Sequence, residues 1–163
     1  MAELSGPKRV RLLVCGEQLR GDDAAAILAV ELLPPQIRSL AEIQEVGQLG
    51  VEALLDVPDG VALVVADAAV GVAGGTVVTL PLEGVARSPG SGATPASSHS
   101  LPPDQVLAFA AELRGAMPRG VFVGIGGAEF GFGEGLSTAV AAGLPAFAGA
   151  IAEAIRNLAA DLP

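Results

Sequence analysis

The chain has 163 residues, 51% of them hydrophobic, with 9 basic and 18 acidic side chains and a formal net charge of −9. That length and apolar content fit one folded domain of ordinary size and exclude a disordered chain. The charge disfavours nucleic acid and anionic membranes as partners, and the single cysteine, Cys15, excludes an intrachain disulfide or a thiolate zinc cluster.

Lys8, Arg9 and Arg11 lead into an apolar run too short for a signal segment, and no stretch reads as a membrane span, so a cytoplasmic location is expected. That run, Val10–Cys15, is continuous, as in a parallel strand covered on both faces. Leu19-Arg20-Gly21-Asp22-Asp23 then places two adjacent carboxylates at a strand-to-helix turn, where open α/β sheets locate their sites. Residues 24–33 read as a helix stopped by Pro34-Pro35. On local grounds Asp22 caps this helix and Asp23 complements its dipole. Residues 42–46 read as a short strand and 51–57 as a short helix. Residues 61–66, Val-Ala-Leu-Val-Val-Ala, form the clearest strand and run into Asp67; residues 76–80 follow Gly74-Gly75 as another.

Residues 84–100, rich in Gly, Ser, Pro and Ala, read as a long flexible loop of the kind that is functional or disordered. A helix is expected from Leu101, with Val106, Phe109, Ala110 and Leu113 as its apolar stripe. Residues 121–125 form the last strand, and 124–135 a second glycine-rich loop carrying Glu129 and Glu134. Ser137 is placed to cap a short turn, and Pro145 to open a terminal helix with Phe147, Ile151, Ile155 and Leu158 inward. This alternation predicts one α/β domain over 1–163: a three-layer sandwich with a twisted, mostly parallel sheet and helices on both faces.

Several familiar chemistries are missing. Gly124-x-Gly126 is followed by Glu129 where a dinucleotide fingerprint needs glycine, and Lys8, the only lysine, is in no phosphate-binding loop. There is no GxSxG elbow, and a single histidine rules out HExxH. That histidine, His99, ends the long loop: it is either a solvated loop residue or a metal ligand or base. Asp67 is either a turn former or a ligand at the carboxyl edge of the sheet. Loops after parallel strands open on one edge, so Asp23, Asp67 and His99 are expected to converge there. Two carboxylates and an imidazole suit a borderline divalent metal such as zinc or nickel. Cys15 within a strand reads as a small core residue; Glu17, Glu129 and Glu134 read as solvated charges.

The ordered set Gly16-x-x-Leu19-Arg20-Gly21-Asp22-Asp23, Val65-Ala66-Asp67-Ala68, Gly75-Thr76-Val77, Ser98-His99-Ser100-Leu101, Gly124-Ile125-Gly126 and Gly135-Leu136-Ser137 resembles the nickel–iron hydrogenase maturation endopeptidases over about residues 8–158. The resemblance implies an aspartic-type endopeptidase that removes the C-terminal extension of a hydrogenase large-subunit precursor. It also implies that nickel already seated in that precursor is recognised through Asp23, Asp67 and His99, with no metal held permanently. Asp22 would then cap the helix and hold Asp23. The chain departs from the family pattern at Glu17-Gln18, Ala24 and Gln48, which bears on substrate choice. A non-proteolytic relative that senses metal or binds a precursor is the alternative; a small α/β hydrolase of other chemistry lacks a nucleophile signature.

Overall fold

The computed structural model describes residues 8–87, 102–133 and 135–161. Five strands form one sheet in the order β2-β1-β3-β5-β4. They are β1 (Val10–Cys15), β2 (Ala41–Gly47), β3 (Ala62–Ala69), β4 (Val77–Pro81) and β5 (Gly120–Gly126). β1 pairs in parallel with β2 and β3, and β3 with β5; only the edge strand β4 is antiparallel. The expected three-layer α/β arrangement is thus the one observed.

The continuous apolar runs explain why two helix layers are needed. Every residue of β1 is buried, as are the first five of β3, because a strand at the centre of a parallel sheet has no solvent face. Val10, Leu12 and Val14 point to one layer: α1 (Ala25–Glu31), α2 (Pro35–Arg38) and α6 (Thr138–Ala160). Leu13 and Cys15 point to the other: α3 (Val51–Leu55), α4 (Leu82–Arg87) and α5 (Pro103–Arg114). Period-two alternation along a strand produces this division.

Four expectations change in detail. Residues 84–87 are helical, not loop: α4 begins at Leu82, whose burial anchors it beneath α5. The rest of the expected loop, 88–100, lies outside the described residues. α5 is turned relative to the expected stripe. Val106, Leu107 and Ala110 are its buried face, while Phe109 and Leu113 are 51% and 57% exposed. The side chain of Arg114 helps set this rotation, since its Nη1 donates to the carbonyls of Leu54 (2.9 Å) and Val57 (2.7 Å) at the end of α3. β3 runs on through Asp67, because Asp67, Ala68 and Ala69 pair with Gly124, Ile125 and Gly126.

The fourth change concerns α6. It starts at Thr138, not Pro145, and Ser137 is its N-cap: the hydroxyl accepts from Val140 N–H at 3.4 Å. Pro145 is inside the helix, where it withholds one donor from the carbonyl of Ala141 on an exposed face. The 23-residue helix is long and apolar enough to cross a membrane by length and composition. Here it is a core helix: Phe147, Ile151 and Ile155 are fully buried, and it packs on β5, β3, β1 and α1. Reading Pro145 as its start cut the apolar stretch in two and concealed that length.

Phe147 and Phe109 make a direct comparison. Phe147→Ala removes a fully buried ring and should cost about 3–5 kcal/mol in urea unfolding, whereas Phe109→Ala should stay within about 0.5 kcal/mol.

Candidate functional site

The site is built where β1 and β3 end. The chain leaves β1 at Gly16, whose N–H donates to the Gly47 carbonyl at the end of β2 (2.6 Å). Gly16 has φ +128°, and a Cβ there would overlap the carbonyl oxygen of Asp23. Only glycine lets the β1 exit pass this close to the next turn. That turn is a short 3-10 segment, Gly21–Ala24, leading into α1. Gly21, with φ +57°, likewise has no room for a side chain, because the Glu129 carbonyl faces it.

Asp22 and Asp23 separate at this turn. Asp22 is 0% exposed, and its carboxylate accepts four hydrogen bonds, none from its own helix. Oδ2 takes the N–H groups of Ala128 and Glu129, both at 2.8 Å, and the Ser137 hydroxyl at 2.8 Å. Oδ1 takes the Ser137 N–H at 2.7 Å. Asp22 is therefore not the cap of the helix that follows it; neither that turn nor α1 has a side-chain cap. It serves the N-terminus of α6 instead, through a residue 115 positions later. Burial pushes its carboxyl up, but the bonds from Ala128, Glu129 and Ser137 outweigh this and hold it below the ordinary value. The anion also faces the positive end of a 23-residue helix.

Asp23 is half-buried and turns the other way. Its Oδ2 accepts the Glu17 N–H at 3.1 Å. Burial raises its pKa despite that bond. Asp67 lies two residues beyond Val65 and so on the face of Leu63 and Val65, beside the end of β1 where Cys15 stands. Its Oδ1 accepts the N–H of Ala68 at 2.8 Å. Burial, with the nearby Asp23 carboxylate adding to it, pushes Asp67 up to about 8. Burial, then Asp67 and Asp23, also raises the Cys15 thiol well above its usual value, so Cys15 stays a protonated core residue.

The structure thus brings together two of the three expected site residues, Asp23 and Asp67; His99 lies outside the described residues, as does Glu134. Among the described residues, no group of three or more His, Cys, Asp or Glu is arranged to hold a metal ion. What is present is a pair of carboxylates, each with one backbone donor among the described residues, at the carboxyl edge of the sheet. One of the two is neutral at pH 7 and could accept a cation by releasing its proton or donate that proton to a leaving group. Around them, Glu17, Gln18 and Gln48 are exposed and Ala24 is buried, so three of the four departures from the family pattern face solvent at this edge. Glu129 is exposed as expected, but its backbone matters more than its charge: its N–H and carbonyl both bind residue 22.

The E. coli hydrogenase maturating endopeptidase HybD shares this fold with a TM-score of 0.72 and 27% identity, over 91% of this chain and 93% of its own. A second E. coli endopeptidase, solved in solution, is 28% identical over 90% of this chain and 93% of that one, with a TM-score of 0.68. The chain is thus similar in fold and in sequence to solved hydrogenase maturation endopeptidases, the family its motifs resemble. The maturation protease HycI of Thermococcus kodakarensis KOD1 has the same fold, with a TM-score of 0.63, 24% identity, and coverage of 94% of this chain and 96% of its own. No family model and no curated sequence matches the chain.

Two outcomes follow from the electrostatics. Asp22→Ala leaves three N–H groups and a hydroxyl without their acceptor and should cost about 3–5 kcal/mol in denaturant unfolding. Because the pKa of Asp22 is lowered on folding, its contribution is present above the ordinary carboxyl range and lost as pH falls through the folded value. Asp67 has the opposite sign. Between about pH 4 and about 8 the unfolded chain has ionised this carboxyl and the folded chain has not, so stability falls by up to about 1.4 kcal/mol per pH unit and then levels off. Asp67→Asn should remove most of that slope and leave the protein more stable than wild type at pH 8.

Proposed function

We propose that this protein trims the C-terminal extension from a hydrogenase large-subunit precursor, as an endopeptidase that recognises the precursor's nickel through Asp23, Asp67 and His99. The observation that carries this reading is the apposition of Asp23 and Asp67 at the carboxyl edge, in the fold of known maturation endopeptidases. The nickel is part of the substrate. Two carboxylates and one imidazole form a mixed oxygen and nitrogen donor set that suits such an ion and leaves positions for ligands from the precursor. Nickel can polarise the scissile carbonyl or a water molecule as a Lewis acid. The protein's own share is to hold the two carboxylates at a fixed spacing and to keep one proton on the pair at neutral pH.

Fixing that spacing falls to the β1 exit. Gly16 brings residue 23 close to the strand end, Glu17 N–H holds the Asp23 carboxylate, and Asp22 locks the turn from behind. A Gly16→Ala chain would push the Asp23 turn away from β1, so it should lose activity while keeping most of its secondary structure.

The test is incubation with nickel-loaded precursor, read by intact mass. Wild type should release the C-terminal peptide. Asp23→Asn, Asp67→Asn and His99→Ala should each reduce the rate by at least about a hundredfold. Normal trimming by any of the three removes that residue from the site, and a stable complex with no shortened product favours the non-proteolytic alternative.

A further inference from the structure

The loop between β5 and α6 carries two phenylalanines with opposite fates. Phe130 folds back on the chain, its ring lying so close to Gly127 that a Cβ there would clash with it. Phe132 points outward and is 86% exposed. Leu19, on the loop after β1, is 60% exposed. The two loops that carry them are joined through the backbone. Gly133 N–H donates to the Leu19 carbonyl at 3.1 Å, and Gly21 N–H to the Gly133 carbonyl at 3.2 Å, so Arg20 and Gly133 form a one-residue parallel bridge. The Arg20 guanidinium carbon sits 4.9 Å from the centroid of the Phe132 ring. An aromatic ring fixed by backbone bonds and a stacked cation, yet left in water, is costly for the free protein and suited to burial by a partner.

The ridge is wired to the site. Arg20 Nε pairs with Glu17 Oε2 at 3.3 Å, and Glu17 N–H holds the Asp23 carboxylate at 3.1 Å. The Arg20 carbonyl also accepts the Asp23 N–H at 3.1 Å. Arg20 therefore contacts the Phe132 ring, Glu17 and Asp23 at once. Glu17 balances the Arg20 cation, and the exposed Glu129 lies on the same loop as Phe132 in a chain of net charge −9, so the complementary surface is cationic.

We propose that Leu19 and Phe132 form the docking ridge for the polypeptide substrate, taking an apolar side chain of the precursor that has a basic neighbour. This rests on the endopeptidase reading for the identity of the substrate, but not for the ridge's contribution to affinity.

The experiment measures binding of nickel-loaded large-subunit precursor to the full chain by biolayer interferometry, beside the trimming rate. Phe132→Ala and Leu19→Ala should each weaken binding about tenfold, with the loss in KM rather than kcat and no change in melting temperature. Phe132→Tyr, which keeps the ring and its cation contact, should restore affinity. Raising salt from about 50 to about 300 mM should weaken wild-type binding, and Glu129→Gln should blunt that dependence. Wild-type affinity in both alanine variants would overturn the ridge, and salt-independent binding would overturn its basic occupant. Binding without trimming by wild type would overturn the endopeptidase reading while the affinity comparison still decides the ridge; absence of both binding and trimming would overturn both.

Discussion

The carboxylate of Asp22 is the constraint on which the rest of this edge depends. It is wholly buried and accepts four hydrogen bonds, all from a loop and a helix start more than 100 residues along the chain. A buried charge is normally a liability. Here the N–H groups of Ala128, Glu129 and Ser137, with the Ser137 hydroxyl, supply what water would have supplied, and the group remains ionised. Ser137 relays the link, donating to Asp22 and accepting from Val140 in the first turn of α6. The exit of β1, the loop after β5 and the N-terminus of the longest helix are thereby tied at one point.

That tie explains why two adjacent aspartates behave oppositely. Asp22 has all the donors it needs and its pKa is lowered; Asp23 has one backbone donor and its pKa is raised. Asp67, with one backbone donor among the described residues and with Asp23 nearby, is raised to about 8. Holding two carboxylates close together in a partly buried place costs stability, which a well-anchored turn can sustain. A site that works on a cation or a peptide bond gains from that arrangement, because its groups are already under-solvated and fixed before the substrate arrives. The neighbours thus divide: residue 22 fixes the turn, while residue 23, like residue 67, is raised in pKa.

The legible parts of the sequence were those governed by local pattern. Val10–Cys15 and residues 61–66 are unbroken apolar runs, and only a strand at the centre of a parallel sheet accommodates such runs in so short a length. Once the strands are parallel, Asp23 and Asp67 must share an edge, so their meeting was readable too. The parts that were not legible depend on partners far along the chain. Nothing near Asp22 indicates that its acceptor oxygens serve Ser137, although Ser137 was legible as a cap and, with Gly135-Leu136, as part of a family pattern. The rotation of α5 is set by Leu107 and by Arg114 reaching the end of α3, and spacing alone favoured Phe109 and Leu113 instead. Pro145 reads locally as a helix start, yet the Ser137 cap and the deep burial of Val140 and Phe147 carry the helix through it. The expectation that Asp22 caps the helix after it does not hold: its carboxylate binds Ser137, and Ser137 caps α6.

The most direct measurement is the carboxyl 13C chemical shift of Asp67, followed by NMR across pH in wild type and in Asp23→Asn. In wild type the Asp67 carboxyl should titrate at about 8, and removing the Asp23 charge should move it down toward the ordinary aspartate range while burial keeps it above that range. Titration of wild-type Asp67 near about 4, or a value unaffected by Asp23→Asn, would contradict a site built on two apposed carboxylates.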